Sequence, residues 1–305
     1  MLDFMQKRVY NLNIKQNGPR VRTKGKTKMK KIISLILALT LCFGCVFALA
    51  SCSGETIVSK IGVQKGTTSK MYADLLKGAE VVSYDTFALA ANDMKNGNCD
   101  FVIVDKTTAN ALAKEISGLK VIDNIPLSSE NYGIGIDKNQ AGLKAQIDAI
   151  LESKALEIEA IKAKYMMGLE ATYVGVESAD KDVSKAAEQL VVATNAEFAP
   201  WEYKEGTKFY GIDMEIAKLI ADELGLELVI EDMDFDNVVG SVGKNGIDIA
   251  MSGITITAER LEVINFSNPY YVESIVVVTT ENDTTFAKCG TVVDLLTAIC
   301  VASEE

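Results

Sequence analysis

A chain of 305 residues, 48% of them hydrophobic, is long enough for two domains and rich enough in apolar side chains for sizeable cores, which excludes disorder as its general state. Residues 1–31 hold ten of the Lys and Arg and a single acid, and 32–51 hold no charge, so the remainder carries 21 basic against 41 acidic residues, a balance of −20 that argues against nucleic acid as a partner. There is no histidine, which excludes Ser–His and Cys–His catalysis and His-ligated metal sites. Of six cysteines, Cys42 and Cys45 lie in the apolar N-terminal run, while Cys52, Cys99, Cys289 and Cys300 have no metal-like spacing; a disulfide framework is not expected.

Residues 1–28 are basic and without pattern. Met29-Lys30-Lys31 and the apolar run at 32–50 then make a fresh start, a positive segment before a hydrophobic core, which predicts an export signal. A run of this length also just spans a bilayer, so a membrane anchor competes. Leu49-Ala50-Ser51-Cys52 decides for export, because it resembles the bacterial lipoprotein box, in which cleavage precedes a cysteine that is then acylated. Residues 1–52 are expected to be an N-terminal extension and signal peptide, with Cys52 lipidated and the protein held at the outer face of a cell membrane.

From Ile61 onward short apolar strands alternate with amphipathic helices, the mark of α/β layers. A strand at 61–63 runs into Gln64-Lys65-Gly66-Thr67-Thr68-Ser69, a polar turn capping a helix that reaches about Leu76; its N–H groups and threonine hydroxyls suit an anion, or serve as an ordinary N-cap. A strand at 81–84, a helix at 86–95 and a strand at 99–104 leave Asp105 at a strand's carboxyl end, the edge where open α/β sheets bind ligands. Asp105 is a candidate partner for a cationic group, or the cap of the helix at 107–116. Tyr132-Gly-Ile-Gly-Ile136 predicts a glycine-bearing strand, followed by helices at 140–151 and 156–167 and a linker at 169–189. The rhythm restarts with a strand at 190–193, the segment Thr194-Asn195-Ala196-Glu197-Phe198-Ala199-Pro200-Trp201-Glu202-Tyr203, a helix at 214–224, a strand at 226–230, and a short helix between the loop of Phe235 and Lys244.

At 252–260, Ser-Gly-Ile-Thr-Ile-Thr-Ala-Glu-Arg joins a buried-strand pattern at 247–251 to a helix at 258–263 with Thr257 as its N-cap. Gly253 allows a ligand close to the backbone, Thr255 adds a hydroxyl and an N–H, and Arg260 offers a planar fork that matches a carboxylate. An internal repeat relates 84–102 to 235–250, each passing through Lys-Asn-Gly into an apolar strand. Two similar α/β lobes are implied, with Asp105 and Gly253 at matching strand ends beside one cleft.

These segments resemble the polar-amino-acid family of extracytoplasmic solute-binding proteins that serve ABC importers, over about 61–168 and 190–280. The most specific matches are 252–260, Phe266-Ser-Asn-Pro-Tyr270, Gly62-Val-Gln-Lys-Gly-Thr-Thr68 and 195–203. The resemblance implies a two-lobed periplasmic-binding-protein-like α/β fold with its ligand between the lobes. It puts Arg260 on the α-carboxylate beside the Thr255 and Thr68 backbone N–H groups, and Asp105 on the α-ammonium with the Gly253 carbonyl and the Thr255 hydroxyl. Phe198 and Phe235 would wall the side-chain pocket, with Asn195, Glu197, Trp201 and Gln64 near its end; Phe198 and Trp201 also read as core aromatics. It further implies a monomer that delivers a polar amino acid, arginine and lysine included, to an ABC permease and its ATPase subunits, with no catalytic residue, cofactor or metal.

In that family the Arg-bearing lobe comes first. Here a Thr-loop lobe at 58–137 and helices at 138–168, expected to pack on the Arg-bearing lobe, precede that lobe at 190–280. A circular permutation is therefore expected, leaving one crossover near 132–136. In the tail at 281–305, Thr291-Val-Val-Asp-Leu-Leu296 resembles the helix before the Thr-loop strand and Ala298-Ile-Cys-Val-Ala302 the strand itself. The tail is expected to restore the second crossover by packing Val292, Val293, Leu295, Leu296 and Ile299 on the first lobe. Competing readings are an enzyme on the same fold, cyclohexadienyl-dehydratase-like, with Glu197 as proton donor; a sensory domain; and a rearranged product that binds nothing.

Overall fold

The structure, a computed structural model, describes residues 58–301, so the N-terminal extension, the apolar run and Cys52 lie outside the described residues. The first sheet takes β1 (Ser59–Gln64), β2 (Ala79–Tyr84), β3 (Phe101–Asp105), β4 (Leu119–Ile122) and β5 (Ser128–Tyr132) from the amino-terminal half, and β14 (Tyr271–Thr280) from the other half. The second takes β7 (Gln189–Thr194), β11 (Glu227–Asp232), β12 (Ile249–Ala250) and β13 (Asn265–Phe266), and receives β6 (Gly135–Ile136) from the amino-terminal half. Strand order is β2-β1-β3-β14-β4 in the first, with β5 also on β14, and β11-β7-β12-β6-β13 in the second. In each sheet the first three strands are parallel, and the received strand runs antiparallel to its neighbours. A small antiparallel sheet, β8 (Glu197–Phe198), β9 (Glu202–Glu205) and β10 (Lys208–Tyr210), extends the second lobe.

The sequence explains these layers. Phe-Val-Ile-Val-Asp in β3 and Gln-Leu-Val-Val-Ala-Thr in β7 are buried at every position, as parallel strands covered on both faces must be. Helices α1 (Thr68–Ala73), α2 (Phe87–Lys95) and α3 (Lys106–Glu115) pack on the first sheet. Thr67 and Thr86 cap α1 and α2 by accepting from Lys70 N and Leu89 N at 3.2 Å. Helices α4 (Ala141–Ser153) and α5 (Ala155–Met166) pack on α6 (Ile212–Leu224), which together with α7 (Phe235–Ser241) lies against β7. Tyr165 Oη donates to Glu215 Oε1 at 2.6 Å, fastening α5 to α6. The segment between the lobes is strapped down, Val176 exchanging two backbone bonds with Phe209 at 2.7 and 2.9 Å.

The order of motifs predicts a single crossover and an Arg-bearing lobe reaching 280; the topology corrects both. Residues 271–280 are β14, inserted between β3 and β4, so the chain passes between the sheets twice, at 132–135 and at 266–271. The cause is the run Ile-Val-Val-Val at 275–278, fully buried, which belongs in the middle of a covered sheet rather than at a lobe's edge. The tail therefore does not make the crossing. Its helix α9 (Val292–Val301) covers the first sheet, with Leu295 and Ile299 fully buried among Ile61, Phe101 and Val277, while Val293 is 71% exposed. Residues 298–301 stay helical instead of forming a second Thr-loop strand, because β1 already holds the place between β2 and β3.

Candidate functional site

The carboxyl ends of β3 and β12 and the amino end of α1 meet at one cavity, lined from the first lobe by Gln64, Thr67, Thr68 and Asp105 and from the second by Phe198, Phe235, Ser252, Gly253, Thr255 and Arg260. Its volume is about 10 Å3, room for one water at most, so an amino acid enters only if the lobes part. Three side-chain bonds hold the lobes at this distance: Gln64 Nε2 to Asn195 Oδ1 at 3.0 Å, Arg260 to the Gly66 carbonyl at 3.0 Å, and Thr255 Oγ1 to Glu130 at 2.6 Å.

Arg260 sits in the first turn of α8 (Ala258–Val263), where Thr257 Oγ1 accepts its N–H at 3.1 Å, and its guanidinium is turned inward, 9% exposed. It donates to the carbonyls of Thr255 and Gly66 and lies 5.6 Å from the Phe235 ring centre. Burial pulls its affinity for a proton below the usual arginine value, and the charges of Glu130 and Asp105 oppose that. Two glycines permit this approach. Gly66 has φ of +74° and a Cβ there would stand 2.8 Å from Asp236 Cα; Gly253 has φ of +53° and a Cβ would meet the Phe198 ring at 2.7 Å.

Asp105 opens α3 without capping it; its carboxylate instead accepts Tyr132 Oη at 2.5 Å. Burial pushes its pKa up to about 8, with Glu273 and Glu130 adding to the rise and the Tyr132 bond opposing it. A second acidic layer lies beneath Ser252 and Gly253. Ser252 Oγ donates to Glu202 Oε1 at 2.6 Å, Gly253 N to Asp213 Oδ2 at 2.8 Å, and Tyr270 Oη, at the second crossing, to Asp213 Oδ1 at 2.7 Å. Burial raises Asp213 to about 6 and Glu202 well above the carboxylate range, the latter also through the charge of Asp213. Buried acids that keep a proton can share it rather than repel.

The structure thus gathers Arg260, Asp105, Thr255, Gly253, Thr68, Phe198, Phe235 and Gln64 at one cavity, with Asn195 held behind Gln64. It does not bring Glu197 or Trp201 there. Glu197 is exposed on β8, and Trp201 is fully buried with its ring centre 4.9 Å from Tyr132 and 4.6 Å from Tyr271, a core aromatic under the crossings. Sequence reasoning missed Glu130, 4% exposed, whose Oε2 accepts both Thr68 Oγ1 at 2.8 Å and Thr255 Oγ1 at 2.6 Å. Alternation along Ser-Ser-Glu-Asn-Tyr was the available signal, since it turns Glu130 and Tyr132 to the same inward face.

An inward arginine and an inward aspartate thus line one cavity, and part of the chain is similar to known proteins. Residues 190–300 match the bacterial extracellular solute-binding proteins, family 3. Within that family, the arginine-binding extracellular protein ArtP of Bacillus subtilis is 34% identical over 101 residues, 33% of this chain and 40% of its own length. Cyclohexadienyl dehydratase of Pseudomonas aeruginosa is 37% identical over 82 residues, 27% of this chain and 31% of its own length. Holo ArgBP from T. maritima is 41% identical over 30% of this chain and 41% of that chain, with a TM-score of 0.27. The chain spans less than half the length of the curated relatives it matches, and those relatives are mostly binding proteins. Among the described residues no helix is long and apolar enough to cross a membrane.

Proposed function

We propose that the protein captures a polar amino acid between its two lobes outside the cell and delivers it to an ABC permease and its ATPase subunits, tethered as a monomer by a lipid on Cys52. The observation that carries this is the pairing of a basic and an acidic side chain, Arg260 and Asp105, turned into one cavity from different lobes. A zwitterion fits such a pair: the α-carboxylate meets Arg260 with the Thr255 and Thr68 N–H groups, and the α-ammonium meets Asp105 with the Gly253 carbonyl and the Thr255 hydroxyl. Phe198 and Phe235 flank the side chain, and Gln64 and Asn195 offer it polar atoms. Each lobe holds half of the ligand, so binding favours the closed arrangement. Relative to the family the lobes are circularly permuted, a reading supported by two complete sheets formed from halves in reversed order.

The test is a thermal-shift screen of the twenty amino acids on residues 53–305, where a ligand at about 100 times its Kd adds roughly 2.7 kcal/mol. A polar or cationic amino acid is expected to give the largest shift. A screen led by leucine or phenylalanine contradicts the specificity, and one with no shift contradicts the function. The dehydratase match supports a second reading, acid-assisted elimination on a prephenate-like substrate. The acid would then be Asp105, which holds its proton to about 8, and not the exposed Glu197. Product formed from prephenate would favour it; binding without turnover favours the receptor.

A further inference from the structure

Glu130 lies behind the binding cavity and has no role in the zwitterion scheme, yet it is buried, and its Oε2 receives hydroxyl protons from a threonine of each lobe, Thr68 at 2.8 Å and Thr255 at 2.6 Å. Each hydroxyl has one proton, and a carboxylate only accepts. Both protons are therefore committed to Glu130, and the threonine oxygens can present only lone pairs to the cavity they line.

We infer that Glu130 is a positioning residue that fixes the hydrogen-bond direction of Thr68 and Thr255, making this corner of the cavity a pure acceptor that selects a ligand bearing an ammonium over the same acid bearing a hydroxyl or keto group. The inference rests on the amino-acid reading of the cavity. Both hydroxyls converge on the one oxygen Oε2, which fixes their direction together. The Thr68 bond lies within the first lobe and the Thr255 bond joins the two, so the direction of the Thr255 hydroxyl is set only when the lobes close.

Glu130→Gln tests this, because its amide can donate to a threonine and release that hydroxyl proton toward the ligand. The protein, as residues 53–305, is titrated by calorimetry with the L-amino acid that gives the largest thermal shift and with its 2-hydroxy acid counterpart. The amino acid is expected to weaken at least tenfold while the hydroxy acid changes by less than about threefold, and Glu130→Asp, which keeps an acceptor-only carboxylate, is expected to retain the wild-type ratio of the two affinities. Equal losses for both ligands, an unchanged ratio in Glu130→Gln, or a ratio lost equally in Glu130→Asp overturns the inference and leaves the amino-acid reading standing. If Glu130→Gln does not fold, the Glu130→Asp ratio decides alone. Absence of binding by the wild-type chain to all twenty amino acids overturns both readings together.

Discussion

In the first lobe the strand sequence β2-β1-β3 finishes on a carboxylate, Asp105; in the second, β11-β7-β12 runs on to Gly253 and then to a helix whose first turn carries Arg260. The strand orders are the same, and each sheet is completed by an antiparallel strand from the other half of the chain. What differs is the sign of the charge placed at the matching strand ends. Two copies of one architecture thus become unlike walls of one cavity, and under the proposed function neither has reason to hold a zwitterion alone. The matching strand ends also differ in backbone: after β12 a left-handed glycine brings Phe198 and Tyr132 against the loop, whereas Asp105 leaves β3 in an ordinary extended conformation.

Removing the charge of the second lobe gives the largest expected effect. Arg260→Ala should cost about 2–5 kcal/mol of ligand affinity, a loss of roughly thirtyfold to several thousandfold, because its buried carboxylate partner is left unpaired; calorimetry that finds the wild-type Kd would remove Arg260 from the site. The first lobe differs in depending on the tail for cover. Deleting 286–305 removes Phe286, Leu295 and Ile299 and uncovers the sheet face beneath them, including Phe101, whose ring centre lies 4.8 Å from that of Phe286. A net loss of about 3 kcal/mol is expected once the ordering of the tail is set against its burial, or roughly 10 °C in Tm, with ligand preference unchanged; an unaltered melting curve would show that the tail contributes nothing.

Asp105→Asn should then cost amino acids about 2 kcal/mol while sparing their deaminated analogues, and equal loss in both classes would show that Asp105 does not meet the ammonium. The same residue also gives a pH dependence. Its pKa in the closed protein is raised to about 8 by burial, so the folded form holds a proton that the unfolded form gives up from about pH 4. Its contribution to stability is therefore greatest at low pH and declines as pH rises from about 4 to 8. For an ammonium ligand the sign is opposite. Binding expels that proton, so affinity should increase between pH 6 and 8 by at most about tenfold per unit. Calorimetry in two buffers of different ionisation enthalpy measures the proton released, and a value of zero would break the link.

Much of this comparison was legible in the residues. Thr67, Thr86 and Thr257 mark helix starts by their side-chain chemistry, and the Lys-Asn-Gly repeat announces two related lobes before either is seen. Asp105, Gly253, Thr255 and Arg260 were legible because each is a polar or permissive residue where an apolar strand ends. What was not legible depends on contacts far apart in sequence. The place of 271–280 is decided by an opening between β3 and β4 that no local pattern records. Trp201 could be told from a pocket wall only by its neighbours Tyr132 and Tyr271, 69 and 70 residues away in either direction. Glu130 gains its meaning only from two threonines of opposite lobes that converge on it.

The exchanged strands also bear on how the chain is made. When residues 58–136 emerge from the ribosome, β3 and β4 stand with the space between them open, and they remain so until Tyr271–Thr280 has been synthesised, roughly ten seconds later at ordinary elongation rates. For that interval the nascent protein displays the unpaired edge of Phe-Val-Ile-Val, a template for pairing with other chains. Pairing of that edge with Tyr271–Thr280 thus competes with pairing to other chains until the second crossing has been made.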